Sequence, residues 1–207
     1  MKNTYQIADI SENEINAVHL MCNDELGEDY ITETFLKDSI TNNHQIVRVA
    51  ITDNIEVIGF SIATIYSENE LKEYLNDKRC DDLILPDLTN QKIGITKIVV
   101  IKDQYKKKGI GIDLLNDSLQ LIEEKKVAIM LGFAWKSKEG VNAKRILERN
   151  GFKELIEVRK FWNDESLKEN YSCPDCGNPP CVCSAIIFMK KIRNAGGFDS
   201  AQPPAQY

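Results

Sequence analysis

The feature that most constrains the fold is a β-rich run, IGITKIVVI at 93–101, that leads into a glycine-spaced turn, YKKKGIG at 105–111. The run is apolar on both faces towards its end, which predicts a strand in the middle of a sheet. Apolar residues at helical spacing follow the turn and predict an amphipathic helix. These residues are Ile112, Leu115, Leu119 and Ile122. Such a strand, turn and helix present free backbone N–H groups and a helix dipole, so the turn predicts a phosphate-binding site.

The composition limits the partners that this turn can serve. The 207 residues are 43% hydrophobic and carry a formal net charge of -6, which predicts one domain over residues 1–193 and argues against a broad nucleic-acid surface. The three lysines at 106–108 therefore form a local anion site. No stretch is apolar enough for a signal peptide or a membrane span, so we expect a cytoplasmic protein with no nucleic-acid or membrane partner. The polar tail at 194–207 is expected to be disordered.

The rest of the sequence predicts an α/β protein in which strands and helices are interleaved. Further β-rich runs lie at 4–10, 46–51, 55–66, 127–135, 155–162 and 185–192. Two capping boxes, at 11–14 and 67–70, open helices. Apolar residues at helical spacing predict another helix near 31–36 and a short one that ends at Gly151. The segment from 67 to 92 is longer than a connection at this place needs, and it is expected to be an insertion that acts as a lid or an interface.

This succession of elements, from residue 4 to 192, resembles the GNAT superfamily of N-acetyltransferases. The acyl-CoA motif of that family is Gln or Arg, two residues, Gly, one residue, then Gly or Ala. Residues 106–111, KKKGIG, match it with Lys106 in the first position. The stretch AKRILERNGF at 143–152 is also similar to the last helix of the family and the Gly-Phe pair after it. The resemblance implies a GNAT-like α/β fold, with a mixed central sheet of about seven strands flanked by helices.

By this resemblance, the protein moves an acetyl group from acetyl-CoA to a primary amine by direct attack of the amine. The alternative is a non-catalytic module that senses acyl-CoA or binds a protein. The expected acetyl-CoA contacts are Val99, Val100, Ile101, Lys106, Lys107, Lys108, Gly109, Ile110 and Gly111. Walker A loops and dinucleotide fingerprints fit the turn poorly, because its lysines precede its glycines and a large residue, Leu114, follows.

The resemblance leaves the catalytic residues unknown. Many family members place a tyrosine four residues before the Gly of the Gly-Phe pair, as the acid for the departing thiolate. In this chain that position is Leu147. The sequence therefore leaves undecided whether the site is active or inactive.

The acceptor is expected to be a small-molecule or protein amine. The sequence does not decide between a monomer and a homodimer. Glu25, Glu28 and Asp29 lie between the first two helices, where the family has its variable substrate loop. They either attract an amine or form a solvated acidic loop. Trp135 is the last residue of the strand at 127–135 and either lines the acceptor pocket or packs in the core.

A cysteine cluster lies near the end of the chain, in residues 171–184, which we call the cysteine loop. Its members are Cys173, Cys176, Cys181 and Cys183. Their spacing resembles a small zinc knuckle, and four thiolates complete the tetrahedral shell of a structural zinc ion. The alternatives are two disulfides, which a reducing compartment disfavours, or free thiols.

Overall fold

The computed structural model describes residues 5–28, 30–76, 78–138 and 140–192, and within these ranges the chain alternates strands and helices. The strands are β1 (Tyr5–Asp9), β2 (Gln45–Thr52), β3 (Val57–Ser67), β4 (Lys92–Ile101), β5 (Val127–Ser137), β6 (Gly140–Val141), β7 (Lys153–Val158) and β8 (Ser184–Lys191). The α-helices are α1 (Glu12–Leu26), α2 (Glu33–Ser39), α3 (Glu68–Asn76), α4 (Ile110–Glu124), α5 (Lys144–Arg149) and α6 (Asn163–Glu169). A short 3-10 turn covers Asp103–Tyr105.

The strands form one mixed sheet in the order β1-β2-β3-β4-β5-β8-β7, and the two-residue β6 pairs with β5. Only β4 and β5 are parallel among these neighbours. Helix α4 makes the crossover that a parallel pair requires. The predicted fold class, a mixed sheet of about seven strands flanked by helices, is therefore confirmed.

The parallel pair β4 and β5 separates partway along its length. Their pairing starts at Lys92 with Val127 and ends at Thr96 with Gly132, although both strands continue beyond those residues. A β-bulge begins at the same place, because Thr96 and Ile98 pair with adjacent residues of β3 and Lys97 is left unpaired. A gap therefore opens between the two central strands after Lys97.

Helices cover both faces of the sheet because side chains alternate along each strand. Phe60 and Ile62 of β3 pack in a cluster with α1 and α2, whereas Ala63 and Ile65 pack with α4. The two capping boxes are both present at the starts of α1 and α3. No helix in the described residues combines the length and apolar character that crossing a bilayer requires.

Two segments differ from the sequence-based expectation. The run at 155–162 is a strand only to Val158, because the chain turns with a positive φ of 55° at Lys160. Phe161 and Trp162 then pack into the core instead of pairing across the sheet. The polar stretch that follows forms α6, which the sequence did not predict. The tail at 194–207 and Asp77, at the expected end of α3, lie outside the described residues.

The insertion at 67–92 contributes α3 and then a segment without helix or strand from 78 to 91. Lys78, only 1% exposed, forms an ion pair with Glu165 of α6. Arg79 donates hydrogen bonds to the side chains of Asn163 and Asp164, at 3.0 and 2.9 Å. The insertion is therefore anchored on α6.

Candidate functional site

A cleft of about 510 Å³ opens where β4 and β5 separate. Its walls come from β4, the glycine-spaced turn, the start of α4, β5 and α5. Eight of the nine residues predicted to contact acetyl-CoA line it: Val99, Val100, Ile101, Lys106, Lys107, Gly109, Ile110 and Gly111. The exception is Lys108, whose Nζ lies over the Tyr105 ring, 5.0 Å from its centroid. The structure thus brings together the strand end and the turn.

The two positions of the turn require glycine for different structural reasons. Gly109 caps α4 with a φ of 93°, a conformation that a side chain disfavours. At Gly111, a Cβ atom would lie 2.9 Å from Cδ1 of Ile146, so a larger residue would crowd the floor of the cleft. The first N–H groups of α4 have no acceptor within the helix and carry its positive dipole end. The turn is therefore suited to binding an anion.

Lys106 joins the turn to the end of α1. Its Nζ donates a hydrogen bond to Glu25 at 3.0 Å and lies 2.6 Å from Asp103. The hydrogen bond to Asp103 is the main cause that raises the pKa of Lys106. The carboxylate of Glu25 is thus paired with a lysine rather than free for an amine.

The other predicted acceptor residues are more dispersed. Glu28 is exposed, and its backbone N–H donates to Oγ of Ser172 at 3.2 Å. Asp29 lies outside the described residues. Trp135 lines the cleft and also packs against the cysteines.

Helix α5 and the turn before it add three polar residues to the cleft that the sequence did not single out. These residues are Asn142, Arg145 and Arg149. The two arginines are four residues apart in the stretch AKRILER, so they share a helix face, and this spacing was a signal that could have found them. Guanidinium groups bind phosphate in a bidentate manner, which makes this wall a second source of positive charge.

An inner pocket of about 80 Å³ adjoins the cleft and shares Leu26, Lys97, Ile98, Phe133 and Trp135 with it. Its remaining walls are aromatic residues and part of the cysteine loop. They are Tyr30, Trp162, Tyr171, Cys173, Pro174 and Cys181. The pocket is therefore mostly apolar, and it lies at the inner end of the cleft.

Lys97 is the charged residue between the cleft and the inner pocket. Burial lowers its pKa to about 8, with a further lowering from Lys78, whereas Glu165 opposes the shift. Its Nζ lies 5.0 Å from the ring centroid of Tyr74 and 5.6 Å from that of Tyr66. A lone lysine inside the apolar run GITKIVV was the sequence signal for this residue.

Leu147, at the position where many family members have a tyrosine, is buried against the sheet. A Cβ atom at Gly132 would lie 2.7 Å from Cδ2 of Leu147. The side chain thus packs at the last residue of β5 that pairs with β4, and it has no proton to donate.

The four cysteines of the cysteine loop converge, and all their Sγ atoms lie within 4.8 Å of one another. Cys176 and Cys183 are 3.4 Å apart, and Cys173 and Cys183 are 3.7 Å apart. All four are free thiols. A tetrahedron of thiolates around zinc has sulfur–sulfur edges of about 3.8 Å, which follows from a Zn–S distance near 2.3 Å. The cluster therefore fits a four-thiolate metal site.

No protein-family profile matches this sequence, and no curated protein is significantly similar to it. Solved structures are similar in fold. Arabidopsis thaliana NAA60 in complex with acetyl-CoA is 15% identical with a TM-score of 0.66, over 91% of this chain and 99% of that chain. Arylalkylamine N-acetyltransferase 2 from Aedes aegypti is 17% identical with a TM-score of 0.61, over 92% and 100%.

The ribosomal-protein-S18-alanine N-acetyltransferase from Escherichia coli is 14% identical with a TM-score of 0.60, over 96% of this chain and 100% of that chain. An acetyltransferase of the GNAT family from Streptococcus pneumoniae has the same TM-score at 12% identity. Identities this low establish the fold alone. The chain has the mixed α/β fold of the GNAT N-acetyltransferases.

Proposed function

We propose that the protein transfers an acetyl group from acetyl-CoA to a primary amine. The observation that carries this proposal is the cleft between the separated ends of β4 and β5, which runs to the glycine-spaced turn. A fold shared with an acetyl-CoA complex of Arabidopsis thaliana NAA60 supports the same cofactor.

In this proposal the pyrophosphate of acetyl-CoA binds the backbone amides of residues 106–111, and the side chains of Lys107, Arg145 and Arg149 surround it. The pantetheine arm follows β4 at 99–101, and the thioester reaches the gap beside Lys97. Support comes from the position of these residues, apart from Lys108, on one cleft and from the preference of helix N-termini for phosphate.

The chemistry requires a neutral amine, a donor for the tetrahedral oxyanion and an exit for the thiolate. We assign the oxyanion to a backbone N–H of Val100 or Ile101. We assign proton removal to Lys97, because a lysine with a pKa of about 8 is partly neutral near that pH. The CoA thiol has a pKa near that of cysteine, about 8.5, so the thiolate can leave without an acid at the position of Leu147.

The acceptor amine enters beside Trp135 and the inner pocket. It is a small-molecule or protein amine, which the exposed carboxylate of Glu28, two residues after α1, would attract. Among proteins of this fold, one is named for ribosomal-protein-S18-alanine and another for arylalkylamines, so both acceptor classes remain within this proposal.

A structural zinc ion in the cysteine loop completes the proposal. The support is the set of four reduced thiols at distances that suit a tetrahedral shell. Because four thiolates leave no open coordination position, the ion would stabilise the loop and take no part in acetyl transfer. The location that goes with this proposal is the cytoplasm, because a reducing compartment keeps thiols available to a metal.

The alternative is a non-catalytic module that senses acyl-CoA, and Leu147 is the observation that favours it. Such a module would bind acetyl-CoA without turnover. The two candidates therefore differ in acetyl transfer and agree in cofactor binding.

The test is calorimetric titration of the protein with acetyl-CoA, with CoA and ATP as controls. We expect saturable binding of both CoA species and none of ATP. The variant Gly111→Arg should lose this binding, since its side chain would enter the cleft beside Ile146. Unchanged affinity in a folded Gly111→Arg protein would refute the assigned site. If wild-type protein binds acetyl-CoA, acetylation of a panel of amines distinguishes a transferase from a sensor.

A further inference from the structure

The cysteine loop forms a wall of the inner pocket. Cys173, Pro174 and Cys181 line that pocket, whereas Cys176 belongs to the four-thiol cluster without being among the lining residues. The pocket adjoins the gap between β4 and β5, where the proposed thioester lies. A group that enters it would therefore be held next to the reacting carbonyl.

The loop reaches this position through contacts with distant parts of the chain. On one side it meets the connection between α1 and α2, where the carbonyl oxygen of Ser172 lies 1.9 Å from the place of a Cβ atom on Gly27. The rings of Tyr30 and Tyr171 meet edge to face at 5.0 Å between centroids. On the other side, the N–H of Cys181 donates to Oγ of Ser166 in α6 at 2.8 Å.

The thiol cluster also holds two aromatic walls of the pocket. Trp135 and Trp162 both pack against the cysteines and both line the inner pocket. Four sulfur atoms within 4.8 Å of one another cannot all be thiolates without a cation between them, since like charges at that distance repel. The position of this wall thus depends on what the four sulfurs bind.

We propose that the metal bound by the cysteine loop controls the acceptor pocket and leaves acetyl-CoA binding unchanged. This inference rests on the proposed function. The acceptor that fits is a monoamine with a small uncharged group beside its nitrogen, because the lining is mostly apolar and a second ammonium group would be costly to bury there. The residues around the glycine-spaced turn have no part in the cysteine loop, so the phosphate-binding end of the cleft keeps its walls when the metal is lost.

Cys176→Ser is the test variant, because it removes a metal ligand and leaves the lining of the pocket intact. Cys80→Ser is the matched control, since Cys80 is half-buried in the insertion and outside the cluster. Zinc content, acetyl-CoA affinity and acetyl transfer to propylamine, 1,3-diaminopropane and a peptide with an N-terminal alanine are measured for each protein. The chain has two tryptophans, and both line the pocket, so intrinsic fluorescence and its quenching by acrylamide report on this wall directly.

We expect Cys176→Ser to lack zinc and to bind acetyl-CoA within about twofold of the wild-type affinity. Its tryptophan emission should shift to the red with stronger quenching, and transfer to the best amine should fall by about tenfold or more, as for a misplaced reacting group. Chelation of the wild-type protein should cause the same change in tryptophan emission and the same loss of transfer, and added zinc should reverse both. The inference can therefore be tested even if Cys176→Ser fails to fold. Propylamine should exceed 1,3-diaminopropane as an acceptor.

Three results would overturn the inference: unchanged tryptophan emission without zinc, unchanged transfer in zinc-free protein, or a parallel loss of acetyl-CoA affinity. Wild-type protein that does not bind acetyl-CoA, or that binds it and acetylates none of the three amines, would contradict the proposed function. That failure is distinct, because zinc content and tryptophan emission report on the cysteine loop and the pocket wall without acetyl transfer.

Discussion

Lys107 and Lys108 are adjacent and identical in the sequence, yet they occupy different surroundings. Lys107 lines the cleft, whereas Nζ of Lys108 lies over the ring of Tyr105. We expect Lys107→Gln to weaken acetyl-CoA binding by about three- to tenfold, the size of one charge-assisted contact. Lys108→Gln is the matched control and should bind within about twofold of wild type, because Lys108 is not among the residues that line the cleft. Titration calorimetry at low and high salt checks both, and equal losses in the two variants would contradict the placement.

Lys97 gives the second prediction at this scale. A base must be neutral to take a proton, and the pKa of Lys97 is lowered to about 8 by burial. The charged or titratable groups around it are Tyr66 of β3, Tyr74 of α3, Lys78 of the insertion and Glu165 of α6. Acetyl transfer should therefore rise with pH through about 8 as Lys97 loses its proton.

The variant Lys97→Met checks that assignment through its pH profile. It should lower kcat by about a hundredfold, within the range for removing a general base, and abolish the rise near pH 8. Acetyl-CoA affinity serves as the control and should be retained. A profile in Lys97→Met that keeps the wild-type shape would assign the rise to the acceptor amine instead.

Among the elements, the insertion and α6 act as a pair. Lys78 is buried and paired with Glu165, and its Nζ lies 5.0 Å from the ring centroid of Tyr74 and 5.4 Å from that of Phe161. Lys78→Met leaves the partner carboxylate without its cation and should cost about 3 kcal/mol of unfolding free energy. Adding Glu165→Gln should restore part of that loss. Urea unfolding of the single and double variants measures the coupling, and additive losses would show that the pair is not coupled.

The elements also differ in how far the sequence predicts them. Strand β4, the turn and α4 were predicted because local signals agree: an apolar run, glycines at fixed spacing and helical periodicity. Helix α6 was missed because its seven residues are polar and short, and its support is tertiary: the ion pair to Lys78 and the bond from Cys181 to Ser166. The inner pocket was missed for the same reason, since it joins α1, β4, β5 and the cysteine loop.

At the scale of the whole molecule, the cysteine loop connects segments that are far apart in sequence. It contacts the region after α1 through Glu28 and α6 through Asn163, whose side-chain amide donates to the carbonyl of Cys181 at 3.1 Å. Zinc should therefore copurify at about one ion per chain, and a chelator should lower the melting temperature of the full chain. Elemental analysis and a thermal scan check this, with Cys80→Ser as the control that keeps its zinc. A metal-free protein whose melting temperature does not change when chelator is added would refute the zinc assignment.

Because β4 and β5 separate, only a short stretch of backbone pairing joins the two halves of the sheet. Strands β1 to β4 and strands β5 to β8 are two antiparallel units joined by a parallel register that spans only residues 92–96 of β4, together with helix α4. Both the cleft and the inner pocket have walls on each unit. A ligand in the gap therefore both separates the two units and contacts each of them. The first ligand to bind fixes the angle between the units, and the second ligand must bind at that angle.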